Sequence, residues 1–193
     1  MRSDTLTLGF DTSAAHCAAA VLSGDRVLAV RVEAMGRGQA ERLFPLLEEM
    51  LAEAGVGWAD LDRIGCGTGP GNFTGIRISV SAARGLALSL GIPAIGVTTF
   101  EAIRHTHPDA AAAVPAPRDQ VYLSRPGAAP ALVPLDLAAD ATLPPSPADL
   151  ARAVAAVAAT AMTDGLAPPA PLYLRAADAA PPRDAPPEIV DDA

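Results

Sequence analysis

The run from residue 65 to residue 87, GCGTGPGNFTGIRISVSAARGLA, constrains the fold more than any other stretch of this chain. Its first half places glycine at 65, 67, 69, 71 and 75 around Pro70. That composition lets a backbone turn sharply and lets other atoms come close. The second half drops the breakers and reads as a helix, with Asn72 or Thr74 as its cap. On that helix Gly75, Ser79, Ala83 and Ala87 share one face at i, i+4 spacing, a ridge with almost no side chain. Such a ridge admits a second helix or a sheet at short distance. Ile76, Val80 and Leu88 line the neighbouring ridge and are expected to supply apolar burial. Two uses fit a glycine loop that opens a helix. It can hold a phosphate on free N–H groups, or it can pack a strand–turn–helix corner. It is not a P-loop, because no Lys-Ser/Thr follows the glycines and the chain has no lysine.

Upstream, Leu6 to Phe10 reads as a short strand, and Asp11-Thr12-Ser13 makes a polar corner. Cys17 to Leu22 and Arg26 to Glu33 are two further strands, joined by a turn at Ser23-Gly24-Asp25. Gln39 to Ala54 is helical. Leu43, Leu47, Met50, Leu51 and Ala54 form its apolar stripe, Glu41, Glu48 and Glu53 face out, and Pro45 should kink it or mark its early turns. Gly55 and Gly57 end this helix, and the strand Arg63 to Gly67 feeds the glycine loop. Beyond the loop-helix come a strand at Ala94 to Val97 and a short helix opened by the capping box Thr98-Thr-Phe-Glu101. That helix ends near His105-Thr-His107, which two ligands alone do not make a metal site. Ala111 to Val114 and Val121 to Ser124 read as strands of a second lobe. Ser146-Pro-Ala-Asp149 caps an Ala-rich helix to about Thr160. Leu172 to Leu174 is a further candidate strand. The acidic, proline-rich stretch beyond Asp178 reads as disordered.

With 193 residues, 50% of them hydrophobic and 19% charged, the chain suffices for one moderate domain or two small ones. Its net charge of −8 and dispersed basic residues argue against this chain alone supplying a nucleic-acid or membrane surface. Cys17 and Cys66 each lie in an apolar strand and read as buried thiols of a reducing cytosol. The first apolar run is too short for a membrane span, so a cytoplasmic location is expected.

The segments Gly67-Thr-Gly-Pro-Gly-Asn-Phe-Thr-Gly-Ile-Arg77 and Ala83-Arg-Gly-Leu-Ala87 closely resemble the signature of the TsaB (YeaZ) family. Supporting stretches follow in order: Gly9-Phe-Asp-Thr-Ser13, Arg42-Leu-Phe-Pro-Leu46, Gly91-Ile-Pro-Ala-Ile-Gly-Val97, Val121-Tyr122 and Pro171-Leu-Tyr-Leu-Arg175. The resemblance is dense from Leu6 to about His105 and sparse beyond. It implies an α/β fold of the actin-like ATPase (ASKHA, ribonuclease H-like) type. The N-terminal lobe, residues 1–105, would be complete, the C-terminal lobe, residues 106–178, reduced, and residues 179–193 a tail. In active relatives the Asp11-Thr12-Ser13 corner faces nucleotide phosphates; here it is expected to be vestigial. Where most relatives carry an Asp-Ala-Arg-like segment, this chain has Pro115-Ala-Pro117.

The family is the dimerisation subunit of the bacterial machinery that makes threonylcarbamoyladenosine in tRNA. The resemblance therefore implies a non-catalytic scaffold for a TsaD-like catalytic partner, with a TsaE-like ATPase in the same complex and tRNA reached only through it. ATP and a metal would belong to the partner subunits, with none bound by this chain alone. The expected partner interface comprises Leu43, Leu47, Phe73, Gly75, Ile76, Arg77, Ser79, Val80, Ala83 and Ala87. Arg77 would bond the partner or cap its own loop. A homodimer through the same face is a further expectation for the isolated chain. The alternative is a stand-alone enzyme, metallopeptidase-like or ATP-dependent. The chain has no Gly-Gly pair for adenosine and no His-x-x-x-His metal pair, and Ser13 and His16 lack a visible third group to orient them.

Overall fold

The computed structural model describes residues 4–174. Five strands, β1 (Leu6–Asp11), β2 (His16–Ser23), β3 (Arg26–Ala34), β4 (Arg63–Gly67) and β5 (Ala94–Val97), form one sheet in the order β3-β2-β1-β4-β5. The first three run antiparallel, and β4 and β5 lie parallel to β1. This is the α/β arrangement expected of an actin-like, ribonuclease H-like lobe. Central strands are buried on both faces, and their side chains alternate accordingly. Leu6, Leu8 and Phe10 of β1 join Cys17, Ala19 and Val21 of β2 in the main core. Ala18, Ala20 and Leu22 point to the other face.

The helices α1 (Gln39–Ala54) and α2 (Phe73–Leu90) cover the first face. The α1 helix runs through Pro45, which stands exposed in its second turn. Its stripe buries Leu43, Leu46, Leu47, Met50 and Leu51. On its outer side Arg42 bonds Glu33 and Glu49, while Arg31 bonds Glu49 and Glu53, tying α1 to β3. The hydrogen bonds from Arg42 hold the Glu33 and Glu49 carboxyls below their ordinary range.

The other face is covered from an unexpected source. The Ala-rich helix, assigned in sequence to the second lobe, packs on the back of this first sheet; after α3 (Thr99–Thr106) it is α4 (Pro147–Thr160). Gly9 and Gly65, paired across β1 and β4, leave room for it. A Cβ at Gly9 would sit 2.5 Å from the Ala155 backbone nitrogen, and one at Gly65 would sit 2.8 Å from the Val154 carbonyl oxygen. Both are far inside contact distance, so the helix backbone lies on the strands where only glycine permits it.

A second, antiparallel sheet holds β6 (Ala112–Ala116), β7 (Gln120–Ser124) and β8 (Ala131–Pro134) in that order. It packs on α3 through Phe100, Ile103, Val114 and Tyr122. Arg104 fastens the joint by donating to the Ser124 carbonyl at 2.7 Å. The segment 172–174 is not a strand; Leu172 donates its N–H to the Thr68 carbonyl at 2.9 Å, and Leu172 and Leu174 pack beside Phe100. The expected tail, 179–193, lies outside the described residues. No helix among the described residues is long and apolar enough to cross a membrane.

Candidate functional site

The glycine loop spends its open space on the chain's own corner. The loop leaves β4, passes a cis Gly69–Pro70 bond and enters α2 at Asn72, whose side chain accepts the Gly75 N–H at 2.9 Å. Asn72, and not Thr74, is therefore the cap. The Asn72 N–H goes to the Ser13 carbonyl, and Thr12 Oγ1 donates to the Gly75 carbonyl at 2.7 Å. A Cβ at Gly71 or Gly75 would overlap the Ser13 or Thr12 carbonyl oxygen, and one at Gly67 would overlap the Asp11 carboxylate. Of the two uses for the loop, packing a corner is the one these contacts support.

Asp11, Thr12 and Ser13 are brought together and closed off, with Asp11 and Thr12 fully buried. Asp11 Oδ1 accepts the Ser13 N–H and Oγ–H, each at 2.9 Å, and lies 2.8 Å from His16 Nε2. Asp11 Oδ2 is buried with no hydrogen-bond partner among the described residues. So the third group missing from the sequence reading exists, but it sits between Ser13 and His16. The hydroxyl proton points at a carboxylate and the imidazole does not reach Oγ, which is not the nucleophile–base–orienter order of a triad.

Beyond this corner a cavity of about 590 Å³ opens toward the second sheet. Ser13, His16, Gln39, Asn72, Thr99 and Tyr122 supply its polar groups, and much of the remainder is proline. No arginine lines it among the described residues. With the Ser13 and Asn72 amides already engaged within the chain and only a carboxylate, Asp11, at the corner, these residues do not fit a triphosphate. Among the described residues no three of His, Cys, Asp and Glu come together as metal ligands.

The expected interface residues divide sharply. Leu43, Leu47, Gly75, Ile76, Ser79, Val80 and Ala83 are all buried inside the chain. The small ridge of α2 faces the Thr12 corner and the sheet, so it cannot present itself to another molecule. Ala87 is half-buried against the core, while Leu88, expected to be buried, is 88% exposed. Arg77 alone of them is exposed, with Phe73 half-buried beside it. Arg77 Nε donates to Tyr173 Oη at 2.9 Å, and its guanidinium lies 3.8 Å from the centre of the Phe73 ring. It caps no loop.

What α1 and α2 do leave open is the opposite face. A groove of about 450 Å³ runs between them, with Ala40 and Phe44 on one bank and Thr74, Ile78, Ala82 and Gly85 on the other. Phe44 is 42% exposed there. These residues were missed in sequence, although Phe44 and Ala40 stand one helical turn apart beside the buried stripe.

The family model described as TsaD, tRNA N6-adenosine threonylcarbamoyltransferase, matches residues 32–132. The tRNA threonylcarbamoyladenosine biosynthesis protein TsaB of Haemophilus influenzae is 32% identical over 124 residues, 61% of this chain and 52% of that protein. The structure of YeaZ from Pseudomonas aeruginosa is 32% identical, with a TM-score of 0.58 over 67% of this chain and 68% of that one. A second Pseudomonas aeruginosa structure, of a protein described as similar to peptidase YeaZ, gives a TM-score of 0.67 at 28% identity, over 89% of this chain and all of that one. The chain spans about half the length of the curated TsaB relatives it matches.

Proposed function

The chain belongs to the TsaB/YeaZ family, and from that premise we propose that it serves threonylcarbamoyladenosine biosynthesis in tRNA as a non-catalytic subunit. It seats a TsaD-like catalytic partner on the open face of α1 and α2. The observation that carries this reading is the apolar groove around Phe44, Ile78 and Gly85, on helices whose other faces are already committed to the core. An exposed aromatic beside small residues is the composition of an interface anchor in its pocket. The self-occupied corner around Asp11 supports leaving the chemistry to the partner. The metal, the ATP and a TsaE-like ATPase would enter with the other subunits, and tRNA would be reached through the complex.

Phe44→Asp tests the reading. It places a charge in the groove at an exposed position, so the fold and its melting temperature should hold while partner binding falls by about 100-fold or more. Modification of tRNA by the reconstituted complex should fall with it. If the partner modifies tRNA equally well without this chain, or the purified chain hydrolyses ATP unaided, the reading fails.

A further inference from the structure

Two arginines on the outer edge of α2 meet no ion-pair partner among the described residues. Arg77 and Arg84 are seven residues apart, about 10 Å along a helix axis. Ser81 lies between them on the same strip, and Leu88 continues it. Arg77 is pre-positioned. Its Nε is used by Tyr173, its face rests on Phe73, and the Phe73 and Tyr173 rings stack at 4.8 Å. Its two terminal nitrogens have no hydrogen-bond partner among the described residues and can donate in their fixed fork. A concavity of about 470 Å³ opens among Arg77, Arg84, Pro171 and Tyr173.

Among the described residues neither arginine meets a carboxylate, whereas Arg31, Arg42, Arg125 and Arg152 all do. The α2 helix contains no Asp or Glu, so nothing along it neutralises the pair. In a chain of net charge −8 this strip is a local excess of positive charge. The far bank of the same face carries the opposite sign, with exposed Glu41 and Glu48 flanking Phe44 on α1.

We propose that the partner seated on the α1–α2 face meets this strip with its own carboxylates, one of them held between Arg77 and Arg84. The proposal rests on the reading given above and adds the chemistry of the partner's surface. That surface is acidic opposite α2 and not opposite α1, so the charge polarity fixes which way round the partner docks.

The test is calorimetric titration of the whole 193-residue chain with the purified catalytic partner, at low and high salt. Arg84→Glu should weaken binding roughly 10- to 100-fold, and Arg77→Gln/Arg84→Gln should flatten the salt dependence seen with the native chain. If that double variant binds with native affinity and salt dependence while Phe44→Asp does not bind, the partner covers the groove without carboxylates at the strip. The inference is then overturned and the functional reading stands. If the native chain itself does not bind, both fall. The chain's own Asp178, Asp184, Glu188, Asp191 and Asp192 are rival carboxylates. Should amide substitutions at those five tighten binding and make the arginine substitutions silent, the strip serves this chain itself and the inference is likewise overturned.

Discussion

Gly75 and Thr12 clamp the loop-helix to the sheet: Thr12 Oγ1 donates to the Gly75 carbonyl at 2.7 Å, and the Thr12 carbonyl fills the place of a Cβ on residue 75. The same hydroxyl lies 3.2 Å from Ser79 Oγ, one turn further along the buried ridge. Two glycines of one helix therefore predict opposite outcomes. Gly75→Ala forces α2 off the corner and should cost about 3 kcal/mol or more, lowering the melting temperature by roughly 10 °C. A Cβ at Gly85 meets nothing within 4 Å. Gly85→Ala should therefore stabilise the chain by about 0.5–1 kcal/mol through helix propensity. Thermal unfolding followed by circular dichroism reads both; equal behaviour at the two sites would contradict the packing described.

The back of the sheet offers an independent check. Arg63 on β4 donates through one terminal nitrogen to the carbonyls of Ala158 and Ala161, at 3.1 and 2.6 Å, holding the C-terminal end of α4. Arg63→Met keeps the aliphatic stem and removes the donors, so the Ala161 carbonyl loses this bond and the Ala158 carbonyl keeps only the Ala161 N–H at 3.4 Å. A loss of about 1–3 kcal/mol is expected. Gly9→Val should be worse, because the helix backbone itself blocks the new side chain. In hydrogen exchange, residues 147–160 should lose protection first in Arg63→Met, ahead of α1.

The sequence made the first lobe readable because its signals are local. The Gln39–Ala54 helix has its limits in the chain as drawn, with glycine at both caps and a stripe too regular to mistake. The strands β1 to β5 alternate or end in turn residues. Which face of α2 looks inward was not legible, because that helix is small and apolar on both sides. Ser79 and Ala83 on one ridge, and Ser81, Ala82 and Gly85 on the other, are chemically alike. The choice is made by Thr12, 63 residues upstream, whose carbonyl admits only a glycine at 75. The docking of α4 is equally non-local. Gly9 and Gly65 read as strand and loop glycines, and nothing in the Ala-rich segment announces that they are its seat. The Asp11–His16 pair was hidden for a similar reason, since a turn had to bring residue 16 back beside residue 11.

That pair makes a sharp distinction between structure and chemistry. Asp11→Ala would strip the acceptor from the Ser13 N–H, the Ser13 hydroxyl and His16 at once, inside a buried corner. The expected cost is about 2–4 kcal/mol of stability. Assayed below the variant's melting temperature, modification by the reconstituted complex should stay within about 3-fold of native. A loss on the order of 100-fold in a folded complex would give Asp11 a chemical role.

The two thiols should make the fold sensitive to alkali. Both are free and buried. Burial, with Glu33 nearby, pushes the Cys17 thiol up to about 11, and burial, with Asp11 nearby, pushes Cys66 up to about 12. A thiol whose folded pKa is raised above its unfolded value near 9 contributes stability that is complete below pH 9. Above that the unfolded chain loses its protons first, and the contribution falls away until the folded pKa is passed. Each thiol can withdraw about 1.4 kcal/mol per pH unit in that window. Stability from urea unfolding should therefore drop between pH 8 and pH 10 by about 2–3 kcal/mol more in the native chain than in Cys17→Ala/Cys66→Ala. Below pH 9 neither thiol should react with a disulfide reagent until urea opens the core. An equal alkaline loss in the native chain and the double variant would mean that other groups, and not these thiols, set the upper pH limit of the fold.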